Sequence, residues 1–204
     1  MAWLTAAMLL GALTWHVEGA TGPMAAELFA SDWVATLQSE ALSAQMRGFH
    51  ELQGKLVAVA IVLGLIALAW RRQWRDLITL FTMVPLGMLA NSGFKLLVER
   101  PRPGLLAAVE THGFSYPSGH TVAITLFFGY LLLQTFRGTS RWPWRMLALA
   151  GALVLVATAG FSRVYLGAHH PGDVVASLLF GVAWLGMCLT AEQWLGRSAR
   201  PAAA

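Results

Sequence analysis

Long apolar runs separated by short polar breaks organise this chain. Six stretches repeat the pattern: Trp3 to Trp15, Leu56 to Trp70, Leu77 to Val98, Thr121 to Phe136, Trp144 to Phe161 and Val174 to Trp194. A bilayer core of about 30 Å asks for roughly 20 apolar residues per helix, so the pattern predicts an all-α fold, a bundle of six transmembrane helices. The first stretch is short and resembles the apolar part of a signal peptide. It has no basic leader, and Val17-Glu18-Gly19-Ala20 is a poor cleavage site, so it reads as a retained span. Between the first two spans, residues 16 to 53 are more polar. Phe29, Trp33 and Leu37 recur there every fourth residue with Ser31, Asp32 and Ser39 between them, which predicts a short amphipathic helix. Resting in the headgroup plane is the simpler role for it, and a lid beside a lipid-entry path the alternative.

Composition narrows the class further. Of 204 residues, 57% are hydrophobic and 12% charged, against about 25% charged in a soluble domain. Too few polar side chains are present to cover a water-facing surface. Disordered, collagen-like and disulfide-built classes are excluded, and the single Cys188 makes no intrachain disulfide. The length fits one membrane domain over residues 1–204. Nothing in the pattern asks for a nucleic-acid partner.

The placement of charge sets an orientation. Arg71, Arg72 and Arg75 lie between spans two and three, Arg137, Arg141 and Arg145 between four and five, and Arg197 and Arg200 in the tail. In a six-span chain all three places fall on one face, and Trp70, Trp74, Trp142 and Trp144 flank them. The opposite 16–53 stretch carries Glu18, Glu27, Asp32, Glu40 and Glu51 against Arg47. Basic loops face the cytoplasm, so both termini are expected there.

Three polar clusters fall on the other face: Lys95 to Pro103, Tyr116-Pro117-Ser118-Gly119-His120, and Ser162-Arg163 followed by His169-His170-Pro171-Gly172-Asp173. Each alone has an ordinary structural explanation, as a snorkelling cation, a loop breaker, a helix cap or a hydrogen-bonded pair. Together they ask for a ligand. Each Arg or Lys deep in a bilayer costs about 2.5–3.5 kcal/mol, and three aimed at one pocket repel one another. A phosphate relieves both problems, since guanidinium forks match its oxygens and Lys adds a point charge. Ser118-Gly119-His120 opens a helix whose free N–H groups seat an anion, and Gly119 lets the backbone approach closely. His169 and Asp173, four apart, project to one side if Pro171 begins the last helix. The carboxylate then fixes the imidazole tautomer and makes the other ring nitrogen a better nucleophile. His120 arrives from a different span, suited to protonate a leaving group.

Lys-x6-Arg-Pro, Pro-Ser-Gly-His and Ser-Arg-x5-His-x3-Asp, intact and in order over 95–173, resemble the signature of the type-2 phosphatidate phosphatase (lipid phosphate phosphatase) superfamily, which also includes the soluble vanadium haloperoxidases. The resemblance implies that His169 forms a phosphohistidine, that Asp173 orients it and that His120 is the general acid. It implies that Lys95, Arg102, Ser118, Gly119 and Arg163 bind the phosphate, with no metal and no cofactor. Glu99, Arg100 and His170 lie outside the pattern and receive no role; Tyr116 and Tyr165 read as interfacial aromatics, with lining the pocket mouth the alternative. The expected activity is hydrolysis of a membrane lipid phosphate or diphosphate on the extracytoplasmic side of a bacterial inner membrane. Undecaprenyl diphosphate is the first choice of substrate, with phosphatidylglycerol phosphate close behind and phosphatidate a further alternative. A lipid phosphotransferase would use the same residues. An anionic-lipid binding or transport protein would need the clamp but not the histidines.

Overall fold

The computed structural model describes residues 2–103 and 112–198, with side chains as far as Leu195. The side chain of Arg197 and the whole of Arg200 lie outside the described residues. The described chain is all helical: α1 (Ala2–Gly19), α2 (Ala25–Thr36), α3 (Glu40–Trp70), α4 (Trp74–Met83), α5 (Pro85–Val98), α6 (Gly119–Gly138), α7 (Trp142–Tyr165) and α8 (Pro171–Ser198). No strand occurs among the described residues.

Five helical stretches are long and apolar enough to cross a membrane: Glu40–Trp70, Trp74–Val98, Gly119–Gly138, Trp142–Tyr165 and Pro171–Leu195. The first apolar run, α1, is not among them. It runs antiparallel to α8, with Trp3 packed against Gly186 and the Thr14 hydroxyl 2.9 Å from the Tyr116 hydroxyl near the other end.

Two differences from the apolar pattern matter for the site. Helix α3 starts at Glu40, where Ser39 caps it by accepting the Leu42 N–H at 3.2 Å. Residues 40–53 are therefore not loop, and a helix of 31 residues, about 46 Å long, outreaches a core of about 30 Å. The third run is two helices, because Pro85 has no N–H and takes the N-terminal position of α5. At that break the Thr82 carbonyl is satisfied from α8 by the Trp184 indole N–H at 3.0 Å.

The core packs Leu80, Met83 and Val84 of the broken helix against Val122 and Leu126 of α6 and Phe180 of α8. Leu56, Val59, Val62, Leu63 and Ile66 of α3 point away from it and are exposed, as a lipid-facing stripe would be. Helix α2 covers Phe29 and Trp33 and ends at Thr36, before Leu37. Its Phe29 and Trp33 are exposed, while Glu27 and Val34 face the protein. The helix ends divide the molecule. At one end Glu192 of α8 meets Arg137 at 2.6 Å and Arg75 at 3.8 Å, which ties α4, α6 and α8 together. At the other end residues 99–103 and 112–118 meet the 166–170 turn and the starts of α6 and α8.

Candidate active site

The site is built from helix ends, because a helix end is where the chain can turn and where backbone groups lack partners. Helix α5 stops at Glu99, which takes a left-handed conformation (φ 49°, ψ 27°) just ahead of Pro101. Lys95, one turn earlier, donates from Nζ to the carbonyls of Phe114 (3.0 Å) and Ser115 (3.4 Å). Ser115 in turn donates through its backbone N–H to Arg100 O at 2.8 Å. Ser118 caps α6 and is fully buried. Its N–H donates to Asp173 O at 3.3 Å, and its hydroxyl accepts from Thr121 at 3.1 Å. That leaves the hydroxyl proton of Ser118 able to donate elsewhere. Ser177 of α8 fastens the same junction, donating to Asp173 O at 2.6 Å and Ser118 O at 3.1 Å.

Pro171 begins α8, so His169 sits in the turn and Asp173 in the first helical turn. His169 Nδ1 lies 3.4 Å from Asp173 Oδ2, and Arg102 Nη1 lies 3.3 Å from His169 Nε2. A guanidinium only donates, so Nε2 is the acceptor and Nδ1 carries the proton toward the carboxylate. Burial, reinforced by the charges of Arg102 and Lys95, outweighs the opposing pull of Asp173 and lowers the His169 pKa to about 4. The ring is thus neutral at pH 7, with a lone pair on Nε2.

Arg102 also donates to the carbonyls of Ala168 (2.9 Å), Gly113 (3.0 Å) and His112 (2.8 Å), stitching the two loops around the histidine. Arg163, near the end of α7, is buried; its Nη1 meets His50 Nδ1, and its Nε has no partner among the described residues. An unpaired buried donor of that kind is costly unless a ligand meets it. His120, exposed at the first turn of α6, packs its ring against His50 with centroids 4.5 Å apart. It lies within electrostatic range of His169, Arg102 and Arg163. A Cβ on Gly119 would meet Asn91 and Lys95 atoms, each 3.8 Å away, in ordinary van der Waals contact without a clash.

The structure therefore gathers Lys95, Arg102, Ser118, Gly119, His120, Arg163, His169 and Asp173 at one end of the bundle. Three residues beside them escaped the sequence reading. Arg100 and Glu27 form a buried ion pair against Asp173. His50, in the polar first part of α3, contacts both Arg163 and His120. An arginine two residues before Arg102 in Glu-Arg-Pro-Arg-Pro, and a glutamate inside an apolar α2, were the available signals. Tyr116 and Tyr165 are not interfacial; both are buried. Tyr165 accepts the Ser39 N–H at 3.1 Å and lies 3.1 Å from the Ser43 hydroxyl, pinning the start of α3.

A bundle of membrane-crossing helices with a buried histidine–aspartate pair inside a cluster of cations defines a multi-pass membrane protein whose charged and titratable groups converge at one end. The chain belongs to the PAP2 superfamily, whose family model matches residues 76–197. It is 28% identical over 130 residues to phosphatidylglycerophosphatase B of Bacillus subtilis, covering 62% of this chain and 63% of that protein. It is 35% identical over 124 residues to a lipid A 1-phosphatase of Rhizobium johnstonii, covering 56% and 46%. The matches thus span less than two thirds of either relative. The crystal structure of a transmembrane PAP2-type phosphatidylglycerolphosphate phosphatase from Bacillus subtilis superposes with a TM-score of 0.78, covering 98% of both chains at 21% identity. At that identity the likeness is one of fold.

Proposed function

We propose that the protein is a phosphatase that removes the terminal phosphate of a membrane lipid through a phosphohistidine on His169. The observation that carries this reading is the buried His169 ring, with Asp173 at Nδ1 and Arg102 at Nε2. In the first step the Nε2 lone pair attacks phosphorus and the bond to the lipid oxygen breaks. The electron pair leaves on that oxygen, and His120 supplies the proton. Asp173 stabilises the imidazolium character that the ring acquires. In the second step His120 takes a proton from water, the water oxygen attacks phosphorus, and the P–N bond returns its electrons to Nε2 as phosphate departs. Lys95, Arg102, Arg163, the Ser118 hydroxyl and the first N–H groups of α6 surround the equatorial oxygens, where negative charge is largest in the transition state.

The cation count favours a single phosphoryl group. Arg100 is held by Glu27 and Asp173 and is not available to a second phosphate, and residues 104–111 contain no Lys or Arg. This moves a phosphomonoester such as phosphatidylglycerol phosphate ahead of undecaprenyl diphosphate, and the name of the Bacillus subtilis relative accords with that order. We place the site on the extracytoplasmic side, with α1 as a sixth crossing and both termini cytoplasmic. The arginine-rich turns at the opposite end support that orientation.

Purified protein in detergent with EDTA is expected to release phosphate from phosphatidylglycerol phosphate faster than from a prenyl diphosphate, and His169→Ala is expected to abolish both. Full activity in that variant would overturn the mechanism. A strong preference for the diphosphate would restore the other substrate.

A further inference from the structure

Glu27 and Arg100 take no part in the steps above, yet both are more than nine-tenths buried beside Asp173. They stand 73 residues apart in the chain. Arg100 forks onto Glu27, with Nη1 to Oε1 at 2.9 Å and Nη2 to Oε2 at 2.6 Å, and the same Nη1 donates to Asp173 Oδ1 at 2.7 Å. Glu27 is anchored in turn by the Gly172 N–H at 3.0 Å and the Met24 N–H at 2.9 Å. The other Asp173 oxygen, Oδ2, accepts the His170 N–H at 2.9 Å and faces His169. A continuous line of charge-assisted bonds therefore runs from α2 to the ring of His169.

We propose that Glu27 and Arg100 form a positioning pair that aims the Asp173 carboxylate and leaves its negative charge free to act on His169. The inference rests on the reading of His169 as the nucleophile. Its logic is a charge count. Arg100 alone against Asp173 would make a neutral pair, and a neutralised aspartate does little to stabilise positive character on an imidazole. With Glu27 included, two carboxylates share one guanidinium, and the triad keeps a net charge of −1. The guanidinium fixes Oδ1, so Oδ2 stays turned toward Nδ1 of His169. The direction of the shifts agrees. Burial pushes the Glu27 carboxyl up, but the Arg100 hydrogen bonds, the Met24 N–H and the Arg100 charge more than reverse this, so it is ionised. The pair also explains why α2 lies where it does: Glu27 points inward while Phe29 and Trp33 point out. Its arrangement counts against Arg100 as a phosphate ligand, because swinging it to substrate would leave Glu27 buried without a counter-ion.

The test compares Glu27→Gln, Glu27→Asp, Arg100→Gln and the double variant Glu27→Gln/Arg100→Gln, each as full-length protein in detergent with its melting temperature measured. Two readouts are used: kcat and KM on a lipid phosphomonoester, and the imidazole ring ¹H–¹⁵N spectrum at pH 7, with the His169 Nδ1–H signal assigned by its loss in His169→Asn. Glu27→Gln is expected to cut kcat about tenfold or more with KM within about twofold, because the interaction lost is one made in the transition state. It is also expected to move the Nδ1–H signal upfield, as the bond to Asp173 weakens. Glu27→Asp, which keeps the charge, is expected to recover much of both. Arg100→Gln is expected to fall below the double variant, since it leaves two buried carboxylates facing each other. An unshifted ring signal with wild-type kcat per folded molecule in Glu27→Gln would overturn the proposal, and so would strictly additive losses. If the wild-type protein hydrolyses no lipid phosphate, the phosphatase reading falls, while the ring signals still judge the pair.

Discussion

The two ends of this bundle carry the same kinds of side chain in different physical states. At one end Arg75 is 78% exposed and shares Glu192, itself 20% exposed, with Arg137. At the other, Arg100 is 8% exposed between Glu27 at 3% and Asp173 at 0%. Exposed pairs gain little, because water and salt screen them and two long side chains must be ordered. Buried charges are costly to strand, so their partners become obligatory. Trp70, Trp74, Trp142 and Trp144 surround the exposed end, fitting an interfacial, orienting role. The buried end surrounds a neutral imidazole with cations, one of which has a nitrogen without a partner among the described residues. An arginine count does not distinguish these ends; burial does.

The contrast is sharpest in activity. His169→Ala is expected to lower phosphate release about 10³-fold or more, whereas Arg137→Ala at the exposed end stays within about twofold. A fixed-time assay on lipid phosphate in EDTA measures both. In stability, Arg100→Met strands Glu27 and Asp173 and is expected to cost about 3–5 kcal/mol by denaturant unfolding in detergent.

The pH dependence follows from His169. Its folded pKa of about 4 lies below the ordinary 6.5, so between those values the unfolded chain takes up a proton that the native ring refuses. Stability from this group is complete above pH 6.5 and is lost as pH falls through about 4, up to about 3 kcal/mol in all. Melting curves from pH 7 to pH 4 are expected to slope accordingly, and His169→Asn to flatten part of that slope.

Two glycines divide in the same way. Gly160→Ala drives a Cβ to 2.6 Å from Val174 Cγ1 and is expected to destabilise by about 1–3 kcal/mol. Gly119→Ala, whose Cβ meets nothing nearer than 3.8 Å, is expected to leave melting unchanged and to raise KM by crowding the phosphate seat. The smallest effect is expected for Glu192→Gln, below about 1 kcal/mol. A large loss there would end the distinction between the two ends.

Much of this arrangement was legible along the chain. Residues in long apolar helices can reach only their own end of the bundle, so the alternation of spans groups Lys95, His120, Arg163 and His169 before any contact is known. The spacing of His169 and Asp173, with Pro171 between them, also carries their pairing, because Pro favours the first helical turn. What the pattern hid has equally specific causes. The polar face of 40–53 masked a helix that simply outreaches the membrane, and with it His50. Tyr116 and Tyr165 looked interfacial because amphipathic rings usually are, and only their own burial, with their hydroxyls meeting Thr14, the Ser39 N–H and Ser43, shows otherwise.

By itself the sequence determined the class of fold, the family signature and the kinds of chemistry available, since apolar period and local motif spacing act over one or two helical turns. Tertiary structure alone decided which charges are partnered with one another. Glu27 and Arg100 meet across 73 residues because α2 folds back over the start of α8. No local spacing encodes that meeting. It is imposed by packing, and by the cost of leaving any buried charge without a counter-ion.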